Sequence, residues 1–205
     1  ETATGASNEA SFHDAIADAY ARKQKLMLLF LHIQDYEGYN SFTEEMQFEI
    51  FRFFTGVVKK ATLFRVTGAR LALMFRESDN PDMESTTRKI EEAFARLYDR
   101  FHLSFKTVIM ESDDEISAHQ DYSKFVLFME DRIPVNTYYH VTEKDKELYK
   151  RQQHILGELE DIAAKGDLDD PRVLVFCQPV YHVRKQMYDT AEALMRLAEH
   201  ENPRI

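Results

Sequence analysis

The sequence has almost no cysteine and no long apolar run. Cys177 is the single cysteine among 205 residues, so it cannot form an internal disulfide, which fits a reducing compartment. The longest apolar run, Leu26 to Leu31, has six residues, whereas a membrane-spanning helix needs about 18 or more. The N-terminal residues also lack a basic stretch followed by an apolar one, so no secretory signal is predicted. We therefore expect a cytoplasmic protein that makes no membrane contact through this segment.

Basic residues are too few to balance the acidic ones. Lys and Arg number 26 against 36 Asp and Glu, which gives a formal net charge of −10. This charge disfavours nucleic acid and anionic membranes as bulk partners, although a small anion can still bind a local basic pocket. Hydrophobic residues make up 44% and charged residues 30% of the chain. This composition is typical of a globular protein, and the length suits one domain and part of another.

Hydrophobic periodicity predicts that helices and strands alternate along the first two thirds of the chain. Alternating or continuous apolar runs predict strands over 25–33, 103–110 and 136–141 and a β-hairpin over 63–76. Apolar stripes predict helices over 8–22, 42–59, 80–101 and 116–132, with Ser7 or Asn8 and Asn80-Pro81 at two of the starts and an acidic loop over 111–115. This order predicts an α/β fold, a ferredoxin-like or palm-type α+β sandwich around a central antiparallel sheet.

The last third of the chain predicts one long helix and two strands. Thr142 to Asp145 has the pattern of a capping box, and Gly166 suits the residue that ends the helix. A polar turn over 167–171 is followed by predicted strands over 173–183 and 187–197. A pair of strands leaves unpaired edges and an apolar face, so we expect self-association through residues 143–205. We assign that face to Val173, Val175, Met187 and Leu194 or their alternates.

The hairpin sequence RVTGARL, residues 65–71, resembles the signature R-(Y/V)-G-G-(D/E)-E-F of GGDEF domains, which are diguanylate cyclases. In this comparison Thr67 replaces the first glycine and Gly68 retains the second. Ala69 and Arg70 stand in place of the two acids. The resemblance implies that the hairpin is kept and that the two acidic side chains of the signature are absent.

Two further stretches resemble the same family. Residues 4–12, TGASNEASF, resemble the D-x-L-T-G-L-x-N-R-x-x-F start, and residues 32–41 resemble the D-I-D-x-F-K-x-I-N-D that follows the first strand. The resemblance implies that His32 replaces a Mg²⁺-binding Asp, that Gln34 replaces a second acid, and that Asn40 keeps the place of the guanine-reading Asn. The inhibitory R-x-x-D motif is absent from residues 58–62. We therefore expect a degenerate site with no catalytic residues and no cofactor.

The segments VLVFCQPVYHV and EALMR, in the two last strands, resemble the motifs that open EAL domains, which are cyclic-di-GMP phosphodiesterases. The resemblance implies that Glu192 binds a catalytic metal and that Gln178 and Arg196 contact the dinucleotide. An EAL barrel takes about 250 residues, so these strands correspond only to its start. Mg²⁺ or Mn²⁺ would then belong to a completed EAL domain.

These resemblances divide the chain into a degenerate GGDEF domain (1–141), a connecting helix (142–166) and the first strands of an EAL domain (167–205). Our leading hypothesis is an inactive regulatory and dimerising module of a bacterial cyclic-di-GMP signalling protein. The alternative is the N-terminal part of an active cyclic-di-GMP phosphodiesterase. In a third interpretation the domain binds GTP as an allosteric ligand through Asn40 and Arg70. The competing interpretation is that Arg70 is a solvated hairpin side chain. Binding of GTP or cyclic-di-GMP is expected to be weak, and a homodimer is expected.

Overall fold

The computed structural model describes residues 7–34, 49, 52, 53, 56–67, 69–80, 82–101, 104–119, 121–166 and 169–198. The chain divides into two compact units, Glu1–Lys146 and Glu147–Ile205. Each unit has its own sheet, of five strands in the first and two in the second. Over the described ranges, every helix is too short or too polar to cross a lipid bilayer.

The first unit is built on a five-stranded sheet. Its strands are β1 (Met27–Gln34), β2 (Thr62–Thr67), β3 (Arg70–Phe75), β4 (Ser104–Glu111) and β5 (Thr137–His140), and its helices are α1 (Glu9–Ala21), α2 (Met83–Phe101), α3 (Asp114–His119) and α4 (Tyr122–Glu130). The strand order is β2-β3-β1-β4-β5, and the neighbours are antiparallel except for the parallel pair β4 and β5. The predicted α+β sandwich is confirmed, with one parallel pair at an edge of the sheet.

Strand β1 lies at the centre and is buried on both faces. Its residues Leu29, Leu31 and Ile33 pack in a core cluster with Ile90 and Phe94 of α2. On the other face, the ring of Phe30 lies 5.8 Å from that of Phe12 in α1 and 6.1 Å from that of Tyr122 in α4. Because burial of each large apolar side chain contributes about 1.5–3 kcal/mol, this strand holds the two helical layers to the sheet.

Helix α1 starts as predicted, whereas α2 starts two residues later than predicted. Asn8 caps α1, because its Oδ1 accepts a hydrogen bond of 2.9 Å from the N–H of Ser11. The Asn80 side chain is buried and bonds the backbone of Lys59 in both directions, at 2.9 and 3.1 Å. The cap of α2 is Asp82, whose Oδ1 accepts from the N–H of Ser85 at 3.0 Å. The prediction of Asn80 as the cap is therefore wrong.

The helix predicted over 116–132 is two helices, α3 and α4. The Asp113 carboxylate accepts hydrogen bonds from the N–H groups of Glu115 and Ile116 at 3.0 and 3.1 Å, so part of the predicted acidic loop is the cap of α3. The Tyr122 hydroxyl lies between the helices and bonds Ser117 at 2.8 Å. Burial raises the pKa of that hydroxyl to about 12. Pro81 and most of the helix predicted over 42–59 lie outside the described residues, although residues 49, 52, 53, 56 and 57 are helical.

The second unit combines most of a long helix with a two-stranded antiparallel sheet. Helix α5 (Glu143–Lys165) begins at the predicted capping box, in which Thr142 N–H donates to Asp145 Oδ2 at 2.8 Å and Asp145 N–H donates back to Thr142 Oγ1 at 3.4 Å. Strands β6 (Val173–His182) and β7 (Met187–Leu197) form the predicted hairpin. Val175 pairs with Met195 and the adjacent Phe176 with Leu194, so the predicted apolar set is wrong in placing Val175 and Leu194 on one face.

Arg172 ties helix α5 to the start of the hairpin. Its guanidinium lies 2.6 Å from Glu158 Oε2 and 2.7 Å from Asp161 Oδ2, both on α5. It also bonds both carboxylate oxygens of Asp170, at 2.9 and 2.7 Å. These bonds hold the pKa of the Asp170 carboxyl well below its ordinary value. One side chain thus gathers three carboxylates from two segments.

Gly166 ends α5 in the left-handed region and provides a test of this boundary. Its φ is +62°, and its N–H bonds the carbonyl of Ile162 at 3.2 Å. We expect Gly166→Ala to lower the free energy of unfolding by about 1 kcal/mol, because a Cβ is strained at positive φ. The matched control is Gly157→Ala inside the same helix, where a new Cβ meets nothing within 4 Å. That change should stabilise by about 0.5–1 kcal/mol, and urea unfolding that gives both variants the same sign would contradict the prediction.

Candidate functional site

Three basic side chains lie level with one another across the centre of the sheet. His32 of β1 is directly opposite Arg70 of β3 on one side and Lys106 of β4 on the other. Residues directly opposite in antiparallel strands project from the same face of the sheet. The row of Arg70, His32 and Lys106 therefore presents positive or ionisable groups to one helical layer.

Glu130, the last residue of α4, meets this row. The Arg70 guanidinium forms a bidentate pair with the Glu130 carboxylate. Nη2 lies 2.8 Å from Oε2, and Nε lies 3.1 and 3.2 Å from Oε1 and Oε2. His32 Nδ1 lies 2.9 Å from Oε2, but the contact lacks the alignment of a hydrogen bond and is best described as a close electrostatic contact. Lys106 Nζ donates to the Glu130 carbonyl oxygen at 2.5 Å. We call Glu130, Arg70, His32 and Lys106 the Glu130 cluster.

The Glu130 carboxylate compensates the charge of Arg70. Glu130 is 5% exposed, and burial alone would raise the pKa of its carboxyl. The contacts with His32 and Arg70 outweigh that effect, so the pKa of Glu130 is lowered. The carboxylate is therefore ionised at neutral pH, and it neutralises the Arg70 guanidinium beside it. Such a bidentate pair is directional as well as strong.

The structure brings together only some of the positions at which the signature is altered. Gln34 ends β1 two residues after His32, on the same face of the strand. Ala69 instead packs against the core cluster that contains Leu31 and Ile33, on the opposite face. Thr67 ends β2, where the pairing with β3 is irregular. Gly68 and Asn40 lie outside the described residues.

The interpretation of Arg70 as a solvated hairpin side chain is wrong. It is 29% exposed and bonded to Glu130, so its guanidinium is already engaged. Glu130 and Lys106 were missed by sequence reasoning because neither belongs to a signature. A signal was present for Glu130, which follows Val126 by four residues and so continues a buried stripe of α4.

The Glu130 cluster does not fit a divalent cation. Mg²⁺ prefers several oxygen ligands of negative charge, whereas this place holds one carboxylate already paired with cations. Among the described residues, no group of three or more His, Cys, Asp or Glu side chains is arranged to hold a metal ion. A cavity of about 80 Å³ lies beside the cluster and reaches Arg70, Ser123 and Glu130. Small-molecule sites usually have volumes of about 300–1,000 Å³.

The second unit brings the three EAL-like residues to one face of its hairpin. Gln178 is directly opposite Glu192, and Arg196 follows Glu192 by four residues on the same strand. All three side chains are exposed, and Arg196 Nη1 donates to the carbonyl of Met195 at 2.9 Å. The arrangement gives one carboxylate, one amide and one guanidinium along a single surface.

Comparisons with known proteins identify the fold of the chain. No family model and no curated protein matches the sequence. The GGDEF domain of TpbB (YfiN) from Pseudomonas aeruginosa has a TM-score of 0.52 and 15% identity over 73% of this chain and 98% of that chain. The coiled coil and GGDEF domain of DgcB from Caulobacter crescentus, in complex with c-di-GMP, has a TM-score of 0.50 and 17% identity over 67% of this chain and 83% of that chain.

A longer solved structure resembles almost the whole chain. The S helix–GGDEF–EAL structure of LapD from Vibrio cholerae, bound to c-di-GMP, has a TM-score of 0.50 and 11% identity and covers 98% of this chain. This chain spans about half of that structure, 49% of its length. At such low identities the likeness establishes the fold alone. The chain therefore has a GGDEF-like fold, as the hairpin signature predicts.

The Glu130 cluster makes a prediction about stability and pH. Glu130→Gln removes the buried charge and leaves Arg70 without its counter-ion, so the free energy of unfolding at neutral pH should fall by about 3 kcal/mol. Because the pKa of Glu130 is lowered in the folded protein, its stabilisation is present above the ordinary glutamate pKa and is lost as the pH falls through the folded-state pKa. Urea unfolding of the two proteins should therefore converge at acid pH.

Glu143→Gln is the matched control for that experiment. Glu143 also forms an ion pair, with Lys146 at 2.8 Å, but its side chain is 83% exposed. Water screens such a pair, so the change should cost less than about 0.5 kcal/mol. Equal losses for the two variants, or a Glu130→Gln effect that does not change with pH, would contradict the assignment of Glu130 as a buried carboxylate paired with Arg70.

Proposed function

We propose that the chain is a catalytically silent GGDEF-like module that regulates a cytoplasmic bacterial cyclic-di-GMP signalling protein. The observation that carries this proposal is the Glu130 cluster. At the places where the GGDEF resemblance puts metal-binding acids, the chain has His32 and Arg70, and both contact Glu130. The Arg70 guanidinium is neutralised by a carboxylate of the protein itself.

The chemistry of cyclisation supports this proposal. Phosphoryl transfer needs positive charge, usually divalent metal ions, between the triphosphate oxygens. Mg²⁺ is usually held by one or two protein carboxylates together with the substrate phosphates. The single carboxylate of Glu130 is buried and engaged with Arg70 and His32. A silent site is therefore better supported than a cyclase.

Allosteric binding of GTP has less support than a regulatory role without it. Arg70, which that interpretation uses as a phosphate partner, is bonded to Glu130 at 2.8 Å. Release of Arg70 would leave a buried carboxylate without its main partner, which is costly. We therefore propose that GTP and cyclic-di-GMP bind weakly.

The alternative is that the chain forms the N-terminal part of an active cyclic-di-GMP phosphodiesterase. Its support is the shared face of Gln178, Glu192 and Arg196 and the likeness of nearly the whole chain to a GGDEF–EAL structure. Glu192 would be a ligand of Mg²⁺ or Mn²⁺, but one carboxylate needs further ligands from beyond this hairpin. The presence of those acids and of a catalytic base in the parent protein discriminates the two proposals.

The proposal predicts no diguanylate cyclase activity. The purified protein should form no cyclic-di-GMP from GTP with Mg²⁺ or Mn²⁺, because His32, Ala69 and Arg70 stand where the resemblance puts the carboxylates that hold the metals. Chromatography of the nucleotide products measures this, with an active GGDEF cyclase as the positive control. Titration calorimetry on the same sample should show weak or no binding of GTP and cyclic-di-GMP. Steady product formation would overturn the proposed silence, and micromolar or tighter binding would favour the allosteric interpretation.

We also propose that the chain forms a homodimer through its second unit. Val175 and Met195 are directly opposite on the hairpin and are 63% and 68% exposed. On the other face, Phe176 and Val180 are 40% and 45% exposed. Two-stranded sheets are rarely stable without cover on at least one face, and exposed apolar area of this kind is typical of an interaction surface.

The dimer is tested by charges placed on the face of the hairpin that contains Val175 and Met195. The double change Val175→Lys and Met195→Lys should convert a dimer to a monomer in light scattering, because burying two ammonium groups in an apolar interface is costly. The control is Val183→Lys in the turn between the strands, where the side chain is 76% exposed. A dimer that survives the double change places the interface elsewhere, and a monomeric unmodified chain rejects the proposal.

A further inference from the structure

A long groove lies along α2, on the face of the first sheet opposite the Glu130 cluster. Two hollows of about 420 and 630 Å³ adjoin at Glu91, which lines both. The first hollow lies over Phe94, Phe105 and Tyr138, and the second extends to Met27, Glu111 and His140. We call the two together the α2 groove. It follows β5, which is the last strand in the sheet order.

Unpaired carboxylates surround the α2 groove. Its lining contains four acids, Glu84, Glu91, Asp99 and Glu111, but one permanent base, Arg88. Within the described ranges, none of the four acids forms an ion pair. Some acids elsewhere on the described surface do form them, as Asp18 does with Arg22 at 2.8 Å and Asp161 with Lys165 at 2.7 Å. The groove therefore keeps a local excess of negative charge.

Aromatic rings form part of the floor between these acids. The rings of Phe94 and Phe105 are stacked, with centroids 4.8 Å apart and an interplanar angle of 29°. Tyr138 lies 6.1 Å from Phe94. Phe94 is buried at 3% exposure, so the half-buried rings of Phe105 and Tyr138 are those that a ligand can reach. Guanidinium groups stack on aromatic rings while their N–H groups reach carboxylates. An arginine side chain is therefore the group that best matches both features of the groove.

We propose that the α2 groove binds an extended, arginine-rich and lysine-rich segment of a partner protein. The basic side chains pair with Glu84, Glu91 and Glu111, and an arginine stacks on the aromatic floor. The backbone of the segment lies beside β5, whose outer edge has no neighbouring strand among the described residues. This surface is separate from the Glu130 cluster, so the proposal does not depend on whether the module is silent.

Charge excludes the other obvious occupants. Nucleotides and anionic lipids would be repelled by four carboxylates. A second copy of this chain carries a net charge of −10 and so has less charge complementarity than a basic segment. The aromatic floor and the length of the groove favour a peptide over an isolated cation.

The experiment titrates the full chain with a synthetic peptide of alternating arginine and valine, with a peptide of alternating glutamate and valine as the negative probe. We expect micromolar binding of the basic peptide alone, with NMR shifts at Tyr138 and along α2. Glu91→Lys should weaken binding by about tenfold, because a reversed charge in the groove repels the peptide. Glu111→Lys, at the end of β4, is a second variant in case the first disturbs the helix.

Asp14→Lys is the matched control, because it makes the same charge change at an exposed position of α1, a helix on the opposite face of the sheet. It should leave the affinity within about twofold of the unmodified chain, since screening weakens a distant surface charge. A basic peptide that does not bind, or binding that Asp14→Lys weakens as much as Glu91→Lys, would overturn the proposal. So would light scattering that shows the groove variants, but not the control, abolishing self-association.

Discussion

The burial of β1 on both faces is the constraint on which the first unit depends. A strand that packs α2 on one face and α1 with α4 on the other has no free choice of register, because a shift by one residue exchanges its two faces. That register puts His32 level with Arg70 and Lys106. The row of basic groups is therefore a consequence of the same apolar packing that makes the fold stable.

The Glu130 cluster shows how a sheet accommodates partly buried basic side chains in one row. Cationic groups at the centre of a sheet need a counter-charge when they are partly buried, and α4 ends with its carboxylate beside them. The contacts with His32 and Arg70 outweigh the cost of burial for Glu130. The Arg70 guanidinium is thus held at the centre of the sheet by a carboxylate from the helical layer above it.

Local patterns in the sequence predicted most elements of the fold, because apolar residues recur with a different period in strands and in helices. They failed where a distant partner decides the outcome. Asn80 looks like a helix cap, but its hydrogen bonds to Lys59 take it into the interior. The apolar stripe of 116–132 continues across the break between α3 and α4, where the buried Tyr122 bonds Ser117. The role of Glu130 was missed for the same reason, because its place on a buried stripe does not identify its partner Arg70, which lies 60 residues away along the chain.

The Glu130 cluster also bears on how easily a chain of this kind can change in evolution. A mutation of Arg70 to an acid would place a second carboxylate against buried Glu130, and like charges in the interior repel strongly. A mutation of Glu130 alone would leave Arg70 without its counter-ion. Each single change therefore gives a less stable protein, and an acid at position 70 is compatible with the fold only together with a change at Glu130. Stability alone thus couples the residue types at positions 70 and 130, which lie on different elements of the first unit.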